Sequence, residues 1–169
     1  MSRVLVLGAA SWNRMVHVET LPSGPSATIF EARETEGAGS TGTGKAMALA
    51  ALGHDVTFHA ALGRDDDARR IVEACEARGI AMIVDAQDAP TPRHLNIMDR
   101  QGGRHSIFVA PGADDPVLDT ARLARAIGAA EAIFLSLCAS SRAALPLLDA
   151  ARAPILLDLH DYDGRNPWY

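Results

Sequence analysis

A chain of 169 residues, 48% hydrophobic and 22% charged, can bury one sizeable core, which excludes a disordered or fibrous protein and makes two comfortable domains implausible. Its net charge is −5 and its arginines are scattered, so it lacks the electrostatic footprint of a nucleic-acid binder and no such partner is expected. No run reaches the roughly 18 apolar residues of a membrane span, and no basic region followed by an apolar signal segment opens the chain, so a cytoplasmic protein without a membrane partner is expected.

Val4 to Leu7 form a continuous apolar run closed by Gly8, the signature of a central strand covered on both faces. Ligands of open α/β sheets bind beyond the carboxyl ends of such strands, which puts Ser11, Asn13 and Arg14 near the crevice; the plain alternative is a polar turn. Val16 to Arg33 reads as short β-prone pieces around a Pro22-Ser23-Gly24-Pro25 turn, with Thr28, Ile29 and Phe30 in the second piece. They are too short for the main sheet and look like an excursion from it.

The rest of the chain is organised around Glu36 to Gly53. Gly37, Gly39, Gly42 and Gly44 give way abruptly to strong helix formers, which predicts a flexible loop feeding a helix from Lys45 to Leu52 that Gly53 ends. Unpaired N–H groups in the first turn of such a helix attract ligand oxygens, and Ser40, Thr41 and Thr43 add hydroxyls. Met47, Ala50 and Ala51 form the face expected to pack on a sheet. Three readings compete for the loop. Gly39 to Lys45 satisfies G-x-x-x-x-G-K, but Ala46 stands where a phosphate-binding P-loop needs a hydroxyl for magnesium, and the preceding Arg33 to Gly37 is charged where a buried strand is required. The others are a polyol or sugar site and a mobile loop without a ligand. Lys45 is the single lysine beside fifteen arginines, which invites a role at the loop.

Val56 to Ala61 is the next strand. A helix over Gly63 to Ile80 follows, with Asp65, Asp66 and Asp67 as capping charges, Ala68, Ile71, Val72 and Cys75 at helical spacing, and Gly79 at its end. Cys75 and Cys138 have no metal-like spacing and read as small packing residues in a reducing compartment. Ala81 to Val84 is a short strand. Arg93 to Val109 reads as a hairpin with polar faces: Leu95 and Ile97 alternate on one arm, Ile107 and Val109 on the other, and Gln101-Gly102-Gly103 turns between them. With the Val16 to Arg33 pieces it builds a small second sheet able to cover a pocket.

After the Pro111-Gly112-Ala113-Asp114 loop, a helix runs through Leu118 and Leu123 to Ile127, and Ile133 to Leu137 forms a second buried strand. Ser140 or Ser141 is expected to cap a helix bent by Pro146, and Ile155 to Leu159 is the last strand. Asp158, His160, Asp161 and Asp163 then read as polar contacts at a pocket mouth, as metal ligands, or as a turn built with Gly164, Asn166 and Pro167; no metal site is assigned. No G-x-S-x-G elbow marks a hydrolase. Strands alternating with helices predict an α/β fold with a mostly parallel, Rossmann-like sheet flanked by helices: one domain over 1–169, with inserted lid segments at about 14–35 and 91–110.

Five pieces in order resemble the ribokinase-like or pfkB family of carbohydrate and nucleoside kinases: VLVLGAASWNRMV, GAGSTGTGKAMALAALG, ALGRDDDARRIVEACEARGI, the Thr91 to Asp114 segment with its G-G turn and final PGAD, and ILLDLHDYDGRNPW. The resemblance covers nearly the whole chain and implies a ribokinase-like fold with a β lid, incomplete at the C-terminus. It implies transfer of the γ-phosphoryl group of ATP, with magnesium, onto a hydroxyl, usually a hydroxymethyl, of a sugar or nucleoside. Asn13 stands where the family supplies an aspartate to sugar hydroxyls. Gly39 and Ser40 correspond to the family's glycine pair, Gly44 replaces its asparagine, and Lys45 beside it is the expected substitute. The residues and the resemblance together give an acceptor site of Ser11, Asn13, Gly39, Ser40, Thr41, Gly44, Lys45, His160 and Asp161. A homodimer paired through the lid is a further expectation. The N-x-x-E and G-A-G-D motifs and the adenine site of the family do not occur before Tyr169, and Trp168 and Tyr169 stand at the terminus, so a truncated chain carrying mainly the acceptor-binding half is expected. No catalytic base is nominated. The alternatives are a non-catalytic sugar-binding or regulatory module and a P-loop-type nucleotide binder.

Overall fold

A computed structural model describes residues 1–159 together with 162, 164 and 165. Strand β1 (Arg3–Leu7) lies at the centre of a five-stranded sheet and has the alternation that such a position demands. Val4 and Val6 enter one apolar cluster, Leu5 and Leu7 the other, because successive strand residues point to opposite faces. On either side of β1 come β4 (Asp55–Leu62) and then β5 (Ala81–Ala86), and β8 (Ala132–Ser136) and then β9 (Ile155–Asp158). All four pairings are parallel.

Parallel neighbours require crossovers, and helices supply them. Helices α1 (Thr41–Ala51) and α2 (Asp66–Glu76) cover the first cluster, where Phe58 and Ile71 are fully buried. Helices α3 (Thr120–Ala129) and α4 (Ala139–Leu148) cover the second with Leu123, Ile127, Ala144 and Leu148. The α1 face that packs inward is Gly42, Thr43 and Ala46, with Met47, Leu49 and Ala50 beside it; Ala51 is exposed, so the expected face is rotated by part of a turn. Helix α2 is shorter than the expected 63–80. Its start is set by Asp65, whose carboxylate accepts from the Ala68 N–H at 3.0 Å, and its end precedes Gly79 at φ 73°. The α4 N-cap is Cys138; Ser140 and Ser141 sit buried inside the helix, which continues past Pro146 to Leu148.

The second sheet has the order β3-β2-β6-β7, from β2 (Ser11–His17), β3 (Arg33–Gly39), β6 (Arg93–Met98) and β7 (Arg104–Ala110). Strand β2 pairs antiparallel with β3 and parallel with β6, and β6 and β7 form the expected hairpin. Two local expectations change. The excursion begins at Ser11, directly after the Gly8 to Ala10 bend, and its return strand is the charged Arg33–Gly39 stretch instead of Thr28 to Phe30. Charge decides this. Glu36 accepts from the Trp12 indole N–H at 3.1 Å and from Arg14 at 3.0 Å, partners that an apolar stretch could not satisfy. Gly37 and Gly39 are therefore strand residues, and a single residue, Ser40, joins β3 to α1.

Candidate acceptor cleft

A cleft of about 850 Å³ opens where the carboxyl ends of β1 and β8 meet one face of the second sheet. Ala9 follows β1, Leu137 and Cys138 follow β8, and Ser40 and Thr41 stand at the start of α1, so the main sheet supplies a floor at its switch point. The second sheet supplies the wall. Strand periodicity puts Asn13 of β2, His94 and Asn96 of β6, and Arg104, Ser106 and Phe108 of β7 on the cleft side. Pro111, Ala113 and Asp114 from the loop after β7, and Arg142 of α4, close the remaining side.

The polar groups are held by one another. The buried Ser11 hydroxyl donates to Asn13 Oδ1 at 2.6 Å, which orients the carboxamide with its N–H₂ as donor. Gly39 lies directly beneath: a Cβ there would stand 2.2 Å from Asn13 Nδ2, so only glycine leaves that amide in place. Across the wall, the Ser106 hydroxyl donates to Asn96 Oδ1 at 2.7 Å, and the rings of His94 and Phe108 tilt against each other at 4.2 Å and 56°. Burial pushes the His94 imidazole down in pKa and the Arg104 charge adds to this, so its neutral form is favoured.

Ser40 has φ 78° and ψ 170°, and it is the one non-glycine residue with positive φ among the described residues. That region of backbone space is essentially reserved for glycine and costs a side-chain-bearing residue on the order of 1–3 kcal/mol. The strain falls on a residue that borders the cleft.

The amides of α1 differ from expectation. Gly42 and Thr43 both donate to the Ala9 carbonyl, at 3.0 and 3.3 Å, because Gly42 lies hard against the Gly8 to Ala9 bend; a Cβ at Gly42 would meet Ala9 O at 2.6 Å. Those two N–H groups are thus unavailable to a ligand. Lys45 does not line the cleft either. Its ammonium donates to the Thr41 carbonyl at 3.3 Å, to Ser136 Oγ at 3.1 Å and to the Asp158 carboxylate, which ties α1 to the ends of β8 and β9. Gly44 is exposed, with no neighbour that a Cβ would touch. The structure therefore brings Asn13, Ser40 and Thr41 together on the cleft, with Ser11 and Gly39 behind them, and leaves Gly44 and Lys45 outside. His160 and Asp161 lie outside the described residues. The lining side chains of β6, β7 and α4 were not singled out by sequence, although the polar half of the hairpin's alternation, His94 with Asn96 and Arg104 with Ser106, carried the signal.

On its far side the second sheet is fastened to α2. Asp65 accepts from the Thr91 hydroxyl and N–H at 2.6 and 2.9 Å, Asp67 pairs with Arg93, and Arg70 stacks 5.5 Å above Trp12. Burial pushes the Asp65 carboxyl up, but the Thr91 and Ala68 hydrogen bonds outweigh it and hold the group below the usual carboxylate range. The base of the wall is thus fixed by the first turn of α2.

Among the described residues no group of three His, Cys, Asp or Glu side chains is placed to hold a metal ion, and no helix is long and apolar enough to cross a membrane.

The model of the pfkB carbohydrate kinase family matches residues 1–153. The bifunctional ribokinase/ribose-5-phosphate isomerase A of Fructilactobacillus sanfranciscensis is 30% identical over 118 residues, which is 68% of this chain and 21% of that protein. A microbiome-derived acarbose kinase superposes with a TM-score of 0.83 at 27% identity, over 99% of this chain and 56% of its own. The ribokinase of Arabidopsis thaliana, solved with ribose and ATP, superposes with a TM-score of 0.72 at 21% identity, over 94% of this chain and 54% of its own. The chain thus spans about a fifth of the curated relative and a little over half of these two structures.

Proposed function

The chain belongs to the pfkB family of carbohydrate kinases, and from that premise we propose that its cleft holds the alcohol acceptor of an ATP-dependent phosphoryl transfer, a sugar or nucleoside presenting a hydroxymethyl group. One observation carries the reading: the cleft of about 850 Å³ joins the carboxyl ends of β1 and β8 to a wall of amides and hydroxyls, within the 300–1,000 Å³ typical of small-molecule sites. Asn13 donates to an acceptor hydroxyl, with Ser11 behind it and Gly39 giving it room. Ser40 and Thr41 offer hydroxyls at the α1 end, and Asn96 offers its carboxamide and Ser106 its hydroxyl from the wall. Positioning of this kind is a large part of phosphoryl-transfer catalysis.

ATP use is supported by the family and by the ribokinase solved with ribose and ATP. Magnesium, when bound, would neutralise the charge of the transferring phosphoryl group. The described residues do not assemble a donor set for it, so no step is derived through the metal and no residue is assigned as catalytic base. The P-loop alternative is disfavoured. Strand β3 is an edge strand of the second sheet, two of the first-turn amides are bonded to Ala9, and the Lys45 ammonium is bonded to Asp158.

Titration calorimetry with a panel of neutral sugars and nucleosides, beside an ADP-release assay, tests the reading. At least one acceptor is expected to bind, and Asn13→Ala to weaken it by about tenfold, the value of one well-placed hydrogen bond plus its unpaired partner. Binding without ADP release in any member of the panel would favour the non-catalytic sugar-binding module. No binding by any member would overturn the acceptor cleft.

A further inference from the structure

Lys45 is the single lysine of the chain, and it stands where a cation is electrostatically unwelcome. The first turn of α1, Thr41 to Gly44, carries no acidic residue, and the positive end of a helix dipole repels an ammonium. The Lys45 ammonium nevertheless folds back to that end and donates to the Thr41 carbonyl at 3.3 Å. What offsets the repulsion comes from outside the helix. Ser136 and Asp158 stand opposite each other as the last register pair of β8 and β9, and the ammonium bonds to both, to Ser136 Oγ at 3.1 Å and to the Asp158 carboxylate. The pair is sheltered: the Lys45 and Asp158 side chains are 23% and 32% exposed, against 57% and 51% for the surface pair of Arg14 and Glu34. Solvent and salt screen an interaction in such surroundings less.

Two of the three partners adjoin the cleft. Thr41 lines it, and so does Leu137, directly after Ser136. Ser40, just before Thr41, lines it with its backbone strained at φ 78°. Such a conformation persists only where the surrounding contacts over-determine it. Two sets of contacts hold the start of α1: the Gly42 and Thr43 amides fix it to the end of β1 through the Ala9 carbonyl, and Lys45 fixes it to the ends of β8 and β9. Resting on the acceptor-site reading above, we propose that Lys45 is a positioning residue of the cleft: without touching the acceptor, its ammonium, paired with Asp158, holds Ser40 and Thr41 in the arrangement that binds it. Linkage makes the effect reciprocal, because a tether that favours the binding-competent arrangement is itself favoured by an acceptor, by the same factor. A strut that merely adds stability has no such coupling.

Lys45 carries the only side-chain amine, so its acylation by acetic anhydride, followed by peptide mass spectrometry with the N-terminal amine as internal reference, reads the tether directly. The probes are ribose, fructose, glucose and adenosine. A probe that binds in titration calorimetry should, at saturation, slow acylation of Lys45 several-fold relative to the N-terminal amine. Lys45→Met should weaken binding of that probe about tenfold, and Lys45→Arg, which keeps the charge, should recover part of the loss. The effect of Lys45→Met should shrink when Asp158→Asn has already removed the pair. Thermal unfolding verifies the fold of each variant; where Lys45→Met does not fold, protection of Lys45 in the unaltered chain decides. Binding with an unchanged Lys45 rate, a folded Lys45→Met with wild-type affinity, or equal weakening with and without Asp158→Asn overturns the proposal and leaves the acceptor cleft standing. No binding by any probe overturns both.

Discussion

The two sheets of this molecule solve opposite problems. Every strand pairing of the main sheet is parallel, and β1 is apolar at four successive positions because helices cover both of its faces. The second sheet keeps one face polar for the cleft, and its other face carries Trp12, Arg14, Arg93 and Leu95 towards α2 and solvent. The first is held by burial, so its residues are interchangeable within limits of volume and shape. The second is held by specific pairs: Asp65 with Thr91, Asp67 with Arg93, Glu36 with Trp12 and Arg14. The apolar core and the polar lining of the cleft are thereby separated in space.

Mutations can break or sharpen that separation. The largest effect is expected in the main sheet: Phe58→Ala, at a fully buried position, should cost about 3–5 kcal/mol in denaturant unfolding, with the whole domain losing cooperativity if the core is shared. Asp65→Ala should cost about 2 kcal/mol, because it removes both the α2 cap and the Thr91 anchor. Hydrogen exchange should then rise first in β6 and β7; uniform loosening of both sheets would show that α2 does not fasten the wall.

Ser40→Gly should act in the opposite direction. Relief of its backbone strain, offset by the freer unfolded glycine, should stabilise by about 1 kcal/mol while acceptor binding weakens. Greater stability with unchanged binding would assign the strain no role in recognition.

His59 gives a pH test of the main sheet. It is fully buried, its Nε2–H donates to Asp85 at 2.9 Å, and its Nδ1 has no hydrogen-bond partner among the described residues. Burial lowers its pKa and outweighs the raising effect of Asp85, so the neutral imidazole is favoured. The unfolded chain takes up a proton near pH 6.5 that the folded one resists. Below that value the unfolded state binds more protons and stability falls as pH drops; above it this contribution is flat. Thermal unfolding between pH 7.5 and 5 should show the decline, and His59→Gln should reduce its slope.

The smallest effect on stability is expected for Ser106→Ala on the exposed wall, within about 0.5 kcal/mol, with acceptor affinity lowered several-fold.

Local chemistry made much of this architecture legible. The apolar run of β1, the aspartate start and glycine stop of α2, and the Gln101-Gly102-Gly103 turn each depend on residues a few positions apart, and each stands where expected. Asn13, Ser40 and Thr41 do reach the cleft. Lys45 shows where that legibility ended: its neighbours in sequence pointed to the glycine-rich stretch, but its partner Asp158 is 113 residues away. The same holds for the wall, where the polar alternation of β6 and β7 told that one face would be solvated without telling what it would face.

Periodicity, caps and turns act within a turn of helix or a strand's length, so the chain alone determined the strands of the main sheet, the β6–β7 hairpin, most of its helices and the family to which they belong. Which first-turn amides of α1 are bonded to Ala9, what holds the Lys45 ammonium and which face of the second sheet borders the cleft depended on contacts between distant segments. Those were decided only by tertiary packing, because pairing energies between segments far apart in sequence leave no local trace in either one.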